Sequence, residues 1–295
     1  MTASCGLPAV AALLTADAIG IAPRRAAPAT ATRLLTFAIV AASAATLAAL
    51  TAIGMAYLMH IPRLAHAIGW CQAVASHHHD RVPPEAGVPA VVLLMLMIGA
   101  AARTVWRRRQ ATGRAPSGDG VEIVASAQPL AYAVPGRPGH VVVSVGMIRS
   151  LSADERRVLF AHEHAHLRLG HHRFLAAGEV AAAALPVLRP LLRQLRFATE
   201  RWADEAAAHE IGDRALVARA IARAALAGQP PGVRPLTFTG SGVADRVDAL
   251  LDDSYPDSRV GKPFLVLLAG VVAATAVGSG VQLHHLATFI SELCH

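Results

Sequence analysis

Residues 152–170 read SADERRVLFAHEHAHLRLG. Ser152 and Glu155, three positions apart, form a capping-box pair in which each side chain satisfies a free backbone N–H at a helix start, and Gly170 is a stop signal near the far end. Val158, Leu159, Phe160 and Ala161 supply the apolar contacts that bury such a helix. The HEHAH run, His162 to His166, therefore sits inside a helix. His162 and His166 stand four apart, so both imidazoles project from one face at a spacing that suits two sites of a tetrahedral Zn²⁺. Glu163 lies beside that face, where a carboxylate takes a proton from metal-bound water and passes it to a leaving amine. A chain with 15 histidines meets this pattern by chance more often than most, but the capping box, the apolar flank and a strand-like run upstream make coincidence a poor account.

A catalytic zinc has three protein ligands and an open position, so a third must come from elsewhere. Glu200, in TERWADEAAAHE (199–210), is the candidate, 34 residues after His166. Asp204 follows at i+4 on the same helical face, where it can accept the second N–H of a zinc-bound imidazole and fix its tautomer. Taken alone, this Glu/Asp pair reads as a solvated helix face; HEHAH upstream turns the reading towards ligation. The expected site is thus His162, His166 and Glu200 around one Zn²⁺ per chain, with Glu163 as general base and Asp204 as support. His164 points away from the two ligand histidines, as a packing or supporting residue. His171 and His172 lie near the helix end, where a cationic imidazole suits the dipole. His209 and Glu210 are too far along to share the face of Glu200. His77, His78, His79 and Asp80 can bind a divalent metal, although a solvated loop is the simpler reading.

Composition points to a membrane. Hydrophobic residues make up 54% and aromatics 4%, with a mean hydropathy of +0.43, and the surplus lies in blocks of Ala, Val and Leu. Four blocks are nearly free of charge and about long enough to span: Leu7 to Ala22, Leu34 to Met59, Val88 to Trp106 and Phe264 to Leu283. The first is short and carries Asp17, but lacks the basic n-region of a signal peptide. The net charge of +7 comes from Arg, with Lys262 the only lysine. No segment interleaves basic and aromatic residues as a nucleic-acid groove does, so no nucleic-acid partner is expected. Arg24, Arg25 and Arg33, then Arg107, Arg108, Arg109 and Arg114, then Lys262 mark loops expected to stay cytoplasmic. The expected layout is two spans in residues 1–60, an external loop over 61–87, a third span at 88–106, a cytoplasmic domain over 107–262, and a fourth span with a short external tail over 263–295. Cys5, Cys71 and Cys294 then all fall outside, where a Cys71–Cys294 disulfide is allowed and three unpaired thiols is the alternative.

Within 107–262, Arg114 to Gly120 reads as a linker, and Val121 to Val124 and His140 to Val145 as strands separated by a turn at Pro135 to Gly139. Helices are expected over Arg193 to Gly212, bounded upstream by Pro186 and Pro190, over Arg214 to Ala227, and over Gly242 to Leu251. An extended substrate is expected to add a strand beside His140 to Val145. No internal repeat is visible.

HEHAH followed by ERWAD, with HVVVSVGMIRSLSADE just before and RVDALL (246–251) after, resembles the BlaR/MecR-type membrane metallopeptidases, metallopeptidase family fifty-six, and more distantly the HtpX-type membrane proteases. The resemblance implies a mostly α chain in which transmembrane helices flank a cytoplasmic zincin-like α+β domain with a small sheet. It implies that His162, His166 and Glu200 hold zinc, that Glu163 is the base, and that Asp204 supports a ligand. It also implies a multi-pass cell-membrane endopeptidase whose partners are the bilayer and a protein substrate of the transcriptional-repressor type, with self-cleavage near Arg107 to Arg114; a homodimer is a further candidate. Only about a dozen residues follow the fourth span, so a penicillin-binding sensor domain is not expected. Two rivals stand beside this reading: an HtpX-like quality-control protease, and a metal-responsive receptor without proteolysis.

Overall fold

The computed structural model describes residues 27–59, 61, 82–113, 120–136, 138–228, 239–252 and 270. The expected span at 7–22, all but Gly270 of the one at 264–283, the three cysteines, His77 to Asp80, most of the 61–87 loop and Lys262 lie outside them. What is described is mostly helical, with a small mixed sheet and two helices long and apolar enough to cross a membrane.

Those two are α1 (Pro28–Met59) and α2 (Pro84–Gly113), each longer than the corresponding block expected from hydropathy. They pack as an antiparallel pair: Gly54 on α1 lies against Val91, and a Cβ at Gly87 on α2 would collide with the Tyr57 ring. Arg33 and the Arg107 to Arg109 run therefore share one end of the pair. The two helices differ in what covers them. On α1, Ala31, Leu35, Ala38, Ile39 and Ala42 recur at helical spacing and pack into a cluster with Ala181, Leu188, Leu191, Leu195 and Ala198. On α2, Val92, Leu93, Met95, Leu96 and Ile98 are exposed, a run of apolar surface that soluble proteins rarely leave to water.

The sheet has three strands, β1 (Gly120–Val124), β2 (Ala131–Val134) and β3 (His140–Ser144), in the order β1-β3-β2. β1 runs parallel to β3 and β2 antiparallel to it. The expected strands are present, but AYAV at β2 went unread because it is four residues long and half alanine, a poor β former. The Pro135 to Gly139 turn thus joins β2 to β3. The expectation of a substrate strand beside His140 to Val145 is corrected here: β3 is buried along its length and paired on both sides, so it has no edge to offer.

Ser144 caps a short helix, α3 (Val145–Ser150), and α4 (Ala153–Arg168) follows with both arms of its capping box formed between Ser152 and Glu155. Gly170, at φ 67°, turns the chain straight into α5 (His171–Ala184), an alanine-rich helix that has no side-chain cap and was not read from the sequence. After a 3₁₀ turn at Pro186–Leu188, α6 (Arg189–Ile211) begins earlier than expected, because Pro190 occupies the first turn, where a missing N–H costs nothing. α7 (Arg214–Ala227) matches its expected bounds, and α8 (Thr239–Leu251) starts three residues before Gly242. α4 is held between the sheet and a cluster in which Val158 meets Ala208, Val217, Ala218, Ala220 and Leu250 of α6, α7 and α8. That sandwich fixes the rotation of α4 and so decides where its histidines point.

Candidate metal centre

α4 presents His162 and His166 from one face, and α6, packed against it, brings Glu200 across from them. Donor atoms of the three side chains all lie within 4.8 Å of one another. His162 Nε2 is 3.1 Å from His166 Nε2; Glu200 Oε2 is 3.5 Å from the first and Oε1 is 3.6 Å from the second. Two ligands at about 2.0–2.1 Å from a tetrahedral zinc sit roughly 3.3 Å apart, so the triangle has the right size. Its chemistry fits as well: two imidazole nitrogens and a carboxylate turned towards one point are the donor types that Zn²⁺ takes, and without a metal a proton on His162 can stand between them.

The second nitrogen of each histidine also has a close polar neighbour. His162 Nδ1 lies 3.0 Å from Asp204 Oδ1, and His166 Nδ1 lies 3.0 Å from His171 Nδ1. Asp204, one turn beyond Glu200 on α6, is buried and receives Arg246 of α8 in a two-pronged contact, Nε to Oδ2 and Nη2 to Oδ1, both 2.7 Å. Arg246 Nη1 also reaches Glu200 Oε2 at 3.1 Å. One guanidinium thus braces both acidic residues, as its planar fork allows.

These contacts set the protonation states of the metal-free site. Burial pushes His162 down, but Asp204 and Glu200 outweigh it and hold the imidazole up at about 10. Burial dominates at His166, which falls to about 4. Burial works against ionisation of Glu200 and Asp204, yet His162 and Arg246 hold both below the usual carboxylate range. Glu163 moves the other way. Burial raises it, with the Glu200 charge adding, against His162, the Ala133 backbone N–H and Arg246. A buried carboxylate with a raised pKa, beside two candidate ligands, is the environment a general base needs.

A cavity of about 320 Å³ opens over the triangle, walled by Ala131, Tyr132 and Ala133 of β2, by Leu167 and Leu175, and by His162, Glu163, His166 and Glu200. β2 is the edge strand on this side of the sheet. The backbone edge facing the cavity therefore belongs to β2, which replaces β3 as the place where an extended chain can pair.

The remaining histidines sort themselves. His164 is exposed, so it is neither packed nor a support, while His209 and Glu210 are exposed on the far turns of α6, where Glu210 meets Arg168. His171 corrects the expectation of a cationic imidazole at a helix C-terminus. It is the first residue of α5, at the positive end of that dipole, fully buried and lowered to about 3 by burial and then by His166. Arg246 was given no role from the sequence, since an arginine in an amphipathic helix has no feature that reports a partner 42 residues earlier.

Residues 103–185 match the family model described as Peptidase family M48. The matched stretch runs from the end of α2 through the sheet, α4 and α5, and stops before Glu200. It supports a metallopeptidase family; the narrower BlaR/MecR-type assignment gains nothing from it. No curated protein and no solved structure matches the chain.

Proposed function

We propose that this chain is a membrane-embedded, zinc-dependent endopeptidase that hydrolyses peptide bonds of a membrane-associated or cytoplasmic protein. The observation that carries the reading is the convergence of His162, His166 and Glu200 on one point with Glu163 buried beside it. His162, His166 and Glu200 would hold the ion. When bound, zinc supplies Lewis acidity, lowering the pKa of water and polarising a carbonyl.

The protein's own residues do the rest. An extended substrate aligns antiparallel or parallel to β2 across the cavity, its backbone meeting the free edge of Ala131 to Val134. Glu163 takes a proton from the attacking water and delivers it to the departing amine nitrogen. Asp204 and Arg246 keep His162 and Glu200 in place while the charge around them changes. The test is hydrolysis by the detergent-solubilised full chain: Glu163→Gln should retain zinc and lose on the order of 10²–10⁴ in rate. Unimpaired hydrolysis would remove the base from the account, and metal binding without hydrolysis in the parent protein would favour the metal-responsive receptor.

Membrane placement is supported by the exposed apolar face of α2 and by the shared basic end of α1 and α2. Arg33 lies over the Trp202 ring and Arg108 pairs with Glu179, so that end is the one that carries the metal centre. By the positive-inside rule it faces the cytoplasm. As to substrate, the family M48 match favours a quality-control protease of the HtpX type at least as well as the repressor-cleaving reading. Proteomics of cells carrying the parent protein and Glu163→Gln separates them: many stabilised misfolded membrane proteins in the first case, one or two regulators in the second.

A further inference from the structure

The ligand His166 leans on a residue to which the proposed reaction assigns nothing. Gly170 takes the left-handed conformation, φ 67° and ψ 33°, and folds the first residue of α5 back under the last turn of α4. That residue, His171, is fully buried, and its Nδ1 faces His166 Nδ1 at 3.0 Å with the two rings nearly perpendicular, at 87°. Its ring rests on Trp202, centroids 5.0 Å apart, and Trp202 is covered on its own side by the Arg33 guanidinium of α1, 5.3 Å from the ring centre. The imidazole is thus wedged between a ligand and an aromatic wall, with little room to turn.

An imidazole that ligates through Nε2 carries its proton on Nδ1, and that proton needs an acceptor if the ring is to keep its plane. For His162 the Asp204 carboxylate stands beside Nδ1, at 3.0 Å. For His166 the described residues place only the His171 ring nitrogen there, a neutral acceptor in place of a charged one. We propose that His171 is a positioning residue of the metal centre, accepting the Nδ1–H of His166 so that Nε2 of that ligand is presented to the ion, with Trp202 and Arg33 fixing the acceptor ring. The inference rests on the metalloenzyme reading of the site. It also ties the ligand set to α1 through direct packing.

The experiment uses the detergent-solubilised full chain, stripped of metal and titrated with Co²⁺, whose visible absorption reports ligand geometry. His171→Asn keeps an acceptor close to the Nδ1 position; His171→Gln moves it outward; His171→Phe keeps the packing on Trp202 and removes it. The expected result is a Co²⁺ affinity near the parent's for the Asn variant and about 10–100-fold weaker for Gln and Phe, the range for losing a ligand's supporting hydrogen bond, with altered absorption bands in the latter two. Metal-free melting midpoints near the parent's show that the fold is kept. Should the Phe variant not fold, the Asn and Gln pair decides alone. Parent-like affinity and spectrum in the Phe variant, or equal losses in Asn and Gln, would overturn the role of His171 while leaving the metal centre standing. A parent protein that takes up no Co²⁺ would instead overturn the metal reading itself.

Discussion

His162 Nδ1 stands 3.0 Å from Asp204 Oδ1, and the same carboxylate is gripped on its other side by Arg246. The imidazole is thereby oriented from behind, through a buried carboxylate kept ionised by the Arg246 guanidinium first and the His162 imidazole second. Imidazole, carboxylate and arginine come from α4, α6 and α8, so the proposed metal centre and the packing of three helices are one structure.

Removing the middle member should be felt at the metal. Asp204→Asn keeps the shape but replaces a charged acceptor with a neutral amide, and metal affinity is expected to fall about 10–100-fold. Competition with a chromophoric chelator measures it; an unchanged affinity would mean that the contact with His162 does nothing for ligation.

Arg246 should matter to the fold before it matters to the reaction. Arg246→Met leaves Asp204 and Glu200 with the His162 imidazolium as counter-charge in place of two cations, and loss of one partner from a buried ionic cluster costs about 3–5 kcal/mol. A lowered melting midpoint of the metal-free protein is expected, with part of the loss recovered when zinc supplies positive charge. Equal midpoints for variant and parent would contradict this.

Metal uptake should expel a proton. His162 is held at about 10 in the metal-free site, so near pH 8 it is an imidazolium and must become neutral to ligate, whereas His166, at about 4, is already neutral. About one proton should leave per ion bound, and affinity should rise roughly tenfold per pH unit below the His162 pKa. The same shift acts on stability. A folded-state pKa raised above 6.5 stabilises fully below that value, and the gain is lost as pH climbs through about 10. Calorimetry near pH 8 in two buffers of different ionisation enthalpy should give different heats; identical heats would rule the proton out.

The helix that carries HEHAH was legible in the sequence because its capping box, apolar flank and terminal glycine all agree, and α7 was legible because a Gly/Pro-rich run, Gly228 to Pro235, follows it. β2, α5 and Arg246 were not. AYAV has little intrinsic strand preference and takes its form from β3, against which it pairs; the 171–184 segment is alanine-rich and favours a helix, but no side-chain cap marks its start. Spacing along one helix can place Asp204 behind Glu200; it cannot report that α8 returns to meet them. His171 did carry a hint, since a histidine just after the turn that ends a ligand helix is brought back near the ligands.

The edge of β2 offers a test of substrate docking apart from metal binding. Ala133→Pro removes the backbone N–H that reaches Glu163 and blocks pairing along the strand. Zinc content should stay at the parent level while peptide hydrolysis falls roughly tenfold or more, the scale of a lost contact of about 1–3 kcal/mol. Undiminished hydrolysis would place the substrate elsewhere in the cavity.

The most direct measurement is the zinc content of purified full-length protein, determined for the parent, Glu163→Gln, His162→Ala and Glu200→Ala. One ion per chain is expected in the first two and a loss in the last two. Full zinc in His162→Ala or Glu200→Ala, or none in the parent, would contradict the convergence on which the proposed hydrolysis depends.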